Sequence, residues 1–335
     1  MATGVGSAFS YYNPEAYTLG LIEGYGQQLA LFNAATRGAI VLKSRLIPGD
    51  YENVTEFTRV ADLVTRRDIT STADVTDLSM AMTETANVKL NRKIGPVGMT
   101  VDAWKKLGST SEKMSYLLGF QAAQDKLAEM LNTSLSALEA AIQNVAALNY
   151  DGSSDTTPTL THDKLVKGVN KFGDAADAIV CFVGHSGALS DLLVNSLNST
   201  NMIANVGGVV VNEGHVGTLN KPFVTTDSTA LYEGTSGSAD MRYIVLGLTP
   251  GAIVIEESEP GTVLFDLVSG QENIIARYQA EYVYNLGLKG YGWDKSNGGV
   301  NPTAANVATG SNWDQKTTSV KYTAGVRIKA YSSVA

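Results

Sequence analysis

The sequence predicts an α+β fold, and three observations carry that prediction. Residues 109–149 read as one long uninterrupted helix. Much of the remaining chain falls into short stretches of alternating apolar and polar residues bounded by turn formers. The helices and strands follow one another without the regular βαβ rhythm of a parallel sheet.

Taken in order, residues 1–12 are small, polar and aromatic and read as an arm. Asn13-Pro14-Glu15 is a helix start, with a capping side chain, a proline tolerated in the first turn and an acid near the positive helix end. Tyr17, Leu21, Tyr25, Leu29 and Phe32 then form an apolar stripe to about Arg37. Gly20 and Gly24 have small-xxx-small spacing, but Glu23, Gln27, Gln28 and Arg37 oppose burial in lipid, so the helix is expected to dock on protein.

Residues 40–46 read as a strand that Pro48-Gly49-Asp50 breaks. From 51 to 100 the chain is rich in threonine and charge and poor in core residues. Val88, Leu90 and Ile94 alternate with Lys89, Asn91 and Lys93, as in a half-exposed strand. An extended two-stranded arm reaching out of the domain is expected here. Such a hairpin is marginal alone and needs a partner to lie on. Arg66, Arg67, Lys89, Arg92 and Lys93 are the candidates to meet carboxylates on that partner.

The long helix opens on Ser109 and Glu112, spaced as a capping box. Phe120, Leu127, Leu131, Leu135, Leu138, Ile142 and Val145 lay one apolar stripe along it, with alanines in the gaps. At a rise of ~1.5 Å per residue it is a rod of roughly 57 Å. Its stripe is not a strict seven-residue repeat, which favours a helix laid on a sheet over a coiled coil. Asn149 and the turn formers from Asp151 to Pro158 stop it.

A short helix over 161–172, a buried strand over 178–183 and a helix from about 187 to 197, capped by Ser186, come next. Strands are expected at 209–211, 223–226, 243–248, 252–256 and 263–268, with turns at Pro250-Gly251 and Pro260-Gly261. Residues 274–288 alternate over a long stretch, with Ile274, Ala276, Tyr278, Ala280, Tyr282 and Tyr284 on one face and Arg277, Gln279 and Glu281 on the other. A Gly/Asn/Thr-rich loop holding Trp293 and Trp313 fills 289–320, and 326–330 form a closing strand.

With 335 residues the chain can bury a large core. Only 17% of residues are charged, below the usual quarter, and there are 33 glycines, so repeated protein contact is expected to cover much surface. The net charge of −8 argues against a dedicated nucleic-acid binder. The lone Cys181 sits in an apolar run and reads as a core residue. No secretory signal and no membrane span are visible.

Gly184-His185-Ser186-Gly187-Ala188 resembles a nucleophile elbow, but alanine replaces the second glycine and His215 is the only later histidine. Ser186 as helix cap and His185 as an ordinary loop residue is the simpler account. His162, His185 and His215 are not at ligand spacing, residues 151–155 lack the glutamate that closes an EF-hand loop, and no phosphate-binding glycine motif follows a strand. No catalytic, metal or cofactor site is therefore expected.

The ordered features resemble the major capsid proteins of tailed bacteriophages, which share the Hong Kong 97-type fold. The arm (1–37), the extended loop, the long "spine" helix, the strand followed by His185-Ser186, and the closing strand ending in Gly290-Tyr291-Gly292-Trp293-Asp294 occur in that family's order. Val216-Gly217-Thr218-Leu219-Asn220-Lys221-Pro222-Phe223-Val224-Thr225-Thr226-Asp227 is similar to a G-x-L-x-K/R-P-V-V-x-x-D stretch common there.

The resemblance implies an arm (1–37), an extended loop with flanking strands (38–100), a peripheral domain with the spine (101–160), an axial domain (161–270) and a return strand with the end of the peripheral domain (271–335). It also implies a non-enzymatic subunit that self-assembles through hexamers and pentamers into an icosahedral head. Scaffolding, portal and decoration proteins are the implied partners, and DNA is enclosed without specific binding. Assembly is expected in the host bacterial cytoplasm. The alternatives are an encapsulin-type cellular shell of the same fold and an α/β esterase using Ser186.

Overall fold

The computed structural model describes residues 13–333, apart from 58, 59, 61, 62, 81, 107–110, 199–218, 220, 236 and 239. The arm at 1–12, Ser109 of the capping box, the strand expected at 209–211, His215, and Val216, Gly217, Thr218 and Asn220 of the motif ending at Asp227 lie outside the described residues.

In chain order the elements are α1 (Pro14–Ala35), β1 (Ile40–Ser44), β2 (Tyr51–Phe57), β3 (Met82–Thr100), α2 (Val101–Lys106), α3 (Ser111–Gln143), β4 (Asn149–Asp151), α4 (His162–Val169), β5 (Cys181–Gly184), α5 (Ser186–Asn198), β6 (Phe223–Thr225), β7 (Tyr232–Glu233), β8 (Arg242–Leu248), β9 (Ile253–Val268), β10 (Ile275–Leu288), β11 (Tyr291–Trp293), α6 (Lys295–Gly298), α7 (Ala304–Val307), β12 (Trp313–Gln315) and β13 (Gly325–Tyr331). The fold is α+β.

The helix starts follow the side chains. Asn13 Oδ1 accepts from the N–H groups of Glu15 and Ala16 at 3.0 and 3.2 Å, which caps α1 ahead of Pro14. The long helix α3 ends at Gln143, six residues before its expected stop. Asn149 nonetheless serves that end: its Nδ2 donates to the carbonyls of Ile142, Gln143 and Val145 at 3.2, 2.9 and 3.0 Å. Helix α1 lies against α3 at two glycine contacts. A Cβ on Gly20 would meet the Tyr116 carbonyl, and one on Gly119 would meet the Tyr17 carbonyl. The Gly20–Gly24 spacing is thus a protein-docking feature.

The larger sheet runs β1-β9-β10-β11-β12, with β3 also on β10 and β2 on β3. Its inner residues Val88, Leu90, Tyr282, Tyr284, Leu286, Ile253 and Ile255 share one core with Leu127, Met130, Leu135, Leu138 and Ile142 of α3. At ~25 cal/mol per Å² of apolar surface removed from water, this contact is the main force holding the spine on the sheet. The smaller sheet runs β4-β13-β8-β5-β6, with β7 on β8. Cys181 is fully buried there, and burial pushes its thiol up to about 12.

Three expectations change. The expected turn at 260–261 is absent: β9 runs through it, and the register with β10 slips there, Glu281 facing Thr262 and Val283 facing Glu259. Proline has no N–H for a ladder, and a bulge absorbs that loss. Residues 289–320 are not one loop but β11, α6, α7 and β12, organised around Trp293 and Trp313, both buried, with ring centroids 4.9 Å apart. Finally, Val88–Ile94 is not half of an overhanging arm. It belongs to β3, whose Val88, between β2 and β10, and Leu90, paired with β10, are both 0% exposed.

The sheets cross the segment boundaries expected from the sequence. β9 at 253–268 joins the sheet of β3 and β10, and β13 at 325–331 joins the sheet of β5 and β8.

Candidate assembly surfaces

The hairpin β2–β3 pairs from Tyr51↔Val88 out to Phe57↔Met82. Beyond it, residues 63–80 form no strand and every one of them is exposed. Val64 is 95% exposed, Ile69 84% and Val75 89%. A soluble monomer rarely leaves such a run of large apolar side chains in water.

The five interface candidates separate in the structure. Arg66 and Arg67 sit in the exposed run. Lys93 is exposed on β3, opposite Glu281 of β10. Lys89 is buried, opposite Asn285. Arg92 is taken up inside the chain: its Nε donates to Glu129 Oε1 of α3 at 2.7 Å. Lys89 and Arg92 therefore do not present their charges outward in this fold, contrary to the expectation for the arm.

Glu129 is the residue the sequence reading missed. It also accepts from the hydroxyls of Thr133 at 3.0 Å, Tyr282 at 2.9 Å and Tyr284 at 3.2 Å. Burial first, and then the Glu129 charge, push both tyrosine phenols well above their ordinary value, so they remain donors. The available signal was a carboxylate two residues after Leu127 on the core stripe, with Thr133 one turn on.

The two stretches that carried the family resemblance meet in the smaller sheet. β5 and β6 run parallel, Phe182 facing Phe223 and Gly184 facing Thr225. Lys221 Nζ donates to the Ile179 carbonyl, and to that of Ala176 at 3.3 Å. Past the strand ends, Ser186 Oγ donates to Asp227 Oδ1 at 2.5 Å. This hydrogen bond holds the Asp227 carboxyl below its ordinary range.

His185 Nδ1 accepts the Gly187 N–H at 3.1 Å, so His185, not Ser186, caps α5. Its Nε2 lies 3.8 Å from Asp227 Oδ1, and its ring stacks on Tyr243. A catalytic triad needs the serine hydroxyl on the imidazole. Here that proton goes to the carboxylate, and one imidazole nitrogen is spent on the cap. The second half of any elbow reading, His215, is outside the described residues.

Residues 8–327 match the family described as Gp13-like, major capsid protein 13-like. The chain belongs to this capsid family. Among solved structures it is similar to the capsid of Ralstonia phage GP4 at 10% identity and a TM-score of 0.50, covering 88% of this chain and 87% of that one. It is likewise similar to the capsid of Myoviridae phage XM1 at 11% identity and 0.50, covering 88% and 90%. No curated protein matches significantly.

The protein is a major capsid protein, a structural shell subunit and a virion component. Membership of this family favours a viral capsid over the cellular shell, and a structural role over the esterase reading. No described helix is long and apolar enough to cross a membrane. Among the described residues, no group of three or more His, Cys, Asp or Glu is placed to hold a metal ion.

Proposed function

We propose that this capsid subunit has the Hong Kong 97-type fold and closes into an icosahedral head through hexamers and pentamers. The observation that carries the reading is the fully exposed run at 63–80, standing on a hairpin whose base is in the core. A neighbouring subunit is the natural cover, with Arg66, Arg67 and Lys93 as its charged contacts. On this reading the arm, extended loop, peripheral and axial parts keep their order along the chain, with β9 belonging to the sheet of β3 and β10 and β13 to that of β5 and β8. Scaffolding, portal and decoration proteins complete the head, assembly takes place in the host cytoplasm, and the subunit carries no catalytic activity.

The acidic chain encloses DNA without gripping it, because each phosphate contact would hinder packing and release. A gel shift at about 150 mM salt is expected to show only weak binding, far from the ~10⁻⁸ M of specific binders. Nanomolar affinity would overturn the container argument.

The direct test of the extended run is to replace residues 60–80 with a short Gly-Ser link. A folded monomer by circular dichroism that forms no shells by sedimentation is the expected result. Closed particles from the replacement would overturn the role given to the run.

A further inference from the structure

Resting on that reading, one strand edge identifies where the run docks. β9 pairs with β1 only from Ile253 to Glu257, and Ser258 Oγ then bonds the Ile47 N–H and carbonyl at 3.2 and 3.0 Å. From 262 to 268 its other edge still pairs with β10. Its outer edge there has no strand partner among the described residues. An open edge of this kind is a template for another strand.

The opposite border of the same sheet is closed to such addition. β3 beyond Val88 has lost β2, but Gly95, at φ +81°, and Pro96 sit at a register shift against β10. A bulge and a missing N–H are the features that blunt an edge. Residues 262–268 contain neither, and Leu264 is largely exposed on that stretch.

Charge picks the piece of the run that fits. From Thr262 to Ile274 the chain carries Asp266 and Glu272 and no lysine or arginine. Residues 63–67, Leu-Val-Thr-Arg-Arg, are two bases with β-forming neighbours and no acid. The later part of the run, with Asp68, Asp74 and Asp77, would be repelled. At the edge itself, the exposed Leu267 N–H donates to Asp266 Oδ1 at 2.8 Å. A carbonyl from an added strand can take over that donor and release the Asp266 carboxylate to an arginine.

We propose that residues 63–67 of one copy add as a strand to the β9 edge at 262–268 of a second copy, setting Arg66 and Arg67 against Asp266 and Glu272.

The test uses full-length chains. Val64→Cys and Leu264→Cys variants are co-assembled and oxidised, with Leu63→Cys and Thr65→Cys covering the neighbouring registers; the native Cys181 is buried. A disulfide-linked dimer that needs both partners is expected. Particles that give no such dimer at any of the three positions would overturn the proposal.

In parallel, Arg66→Glu with Arg67→Glu is expected to lower particle yield at least tenfold without changing the monomer's circular dichroism. Adding Asp266→Lys with Glu272→Lys is expected to restore it, and failure to restore counts against the edge. If the Gly-Ser replacement abolishes shells while neither the disulfide nor the charge exchange succeeds, the edge assignment falls and the neighbour-covering role stands. If the replacement still assembles, both fall.

Discussion

Residues 63–80 and residues 82–94 look alike as sequence and have opposite fates. Both are rich in threonine and charge, and both carry isolated β-branched residues. In the first stretch Ile69 and Val75 stand in water; in the second Val88 and Leu90 are sealed. The difference is pairing. Val88 faces Tyr51 of β2 on one side and Leu286 of β10 on the other, so period-two alternation turns one face onto α3. Alternation marks a strand, but a core forms only where neighbouring strands and a covering helix are present.

The largest expected effect tests that contrast directly. Leu90→Ala removes a side chain from a sealed site and is expected to cost about 2–5 kcal/mol. Ile69→Ala, a similar deletion in the exposed run, should stay within about 0.5 kcal/mol in the monomer. Urea unfolding of the two variants measures both. Equal losses would mean that the run packs against its own chain.

The same contrast holds for charge, on a smaller scale. Arg92→Ala leaves Glu129 with three hydroxyl donors but no cation, and hydrogen bonds to charged groups contribute about 1.5–3 kcal/mol. Arg66→Ala touches no carboxylate within the described chain and should leave monomer stability unchanged while lowering assembly. A stable, assembly-deficient Arg92→Ala protein would place that arginine at the interface after all.

The element-level fold was legible because helix starts and strand alternation are local. Asn13-Pro14-Glu15, the α3 stripe and the Ala276–Tyr284 face all appear where their spacing put them. What was not legible depends on partners far along the chain. Arg92 looked like an outward charge because Glu129, 37 residues away, supplies its pair only after α3 lies on β3. Pro260-Gly261 looked like a turn because nothing local shows that β9 continues through it and takes up a bulge against β10. Trp293 and Trp313 looked like loop residues because each owes its burial in part to the other. The Ser186–Asp227 bond joined two motifs already singled out, yet its geometry required β5 and β6 to be adjacent.

The smallest effect concerns a charge whose partner the ladder itself fixes. Asp151 of β4 lies directly across from Lys329 of β13, with Nζ–Oδ2 at 2.7 Å. Burial pushes the Asp151 carboxyl up, but hydrogen bonds from Lys329 and from Ser153 outweigh it and bring it down to about 2. A depressed carboxylate contributes stability that is fully present above its unfolded value of ~3.9 and is lost as pH falls through the folded value. Because Asp151 is about half exposed, solvent screening keeps the contribution below about 1 kcal/mol. Asp151→Asn should therefore lower the urea midpoint slightly at pH 7, and the gap to the wild type should close between about pH 4 and pH 2. Ser153→Ala should remove a smaller part of the same effect, since it deletes one hydroxyl donor and leaves Lys329 in place. A gap that persists unchanged at pH 2 would show that Asp151 acts through packing, and that a fixed cross-strand partner gives a charge no more weight than an exposed one.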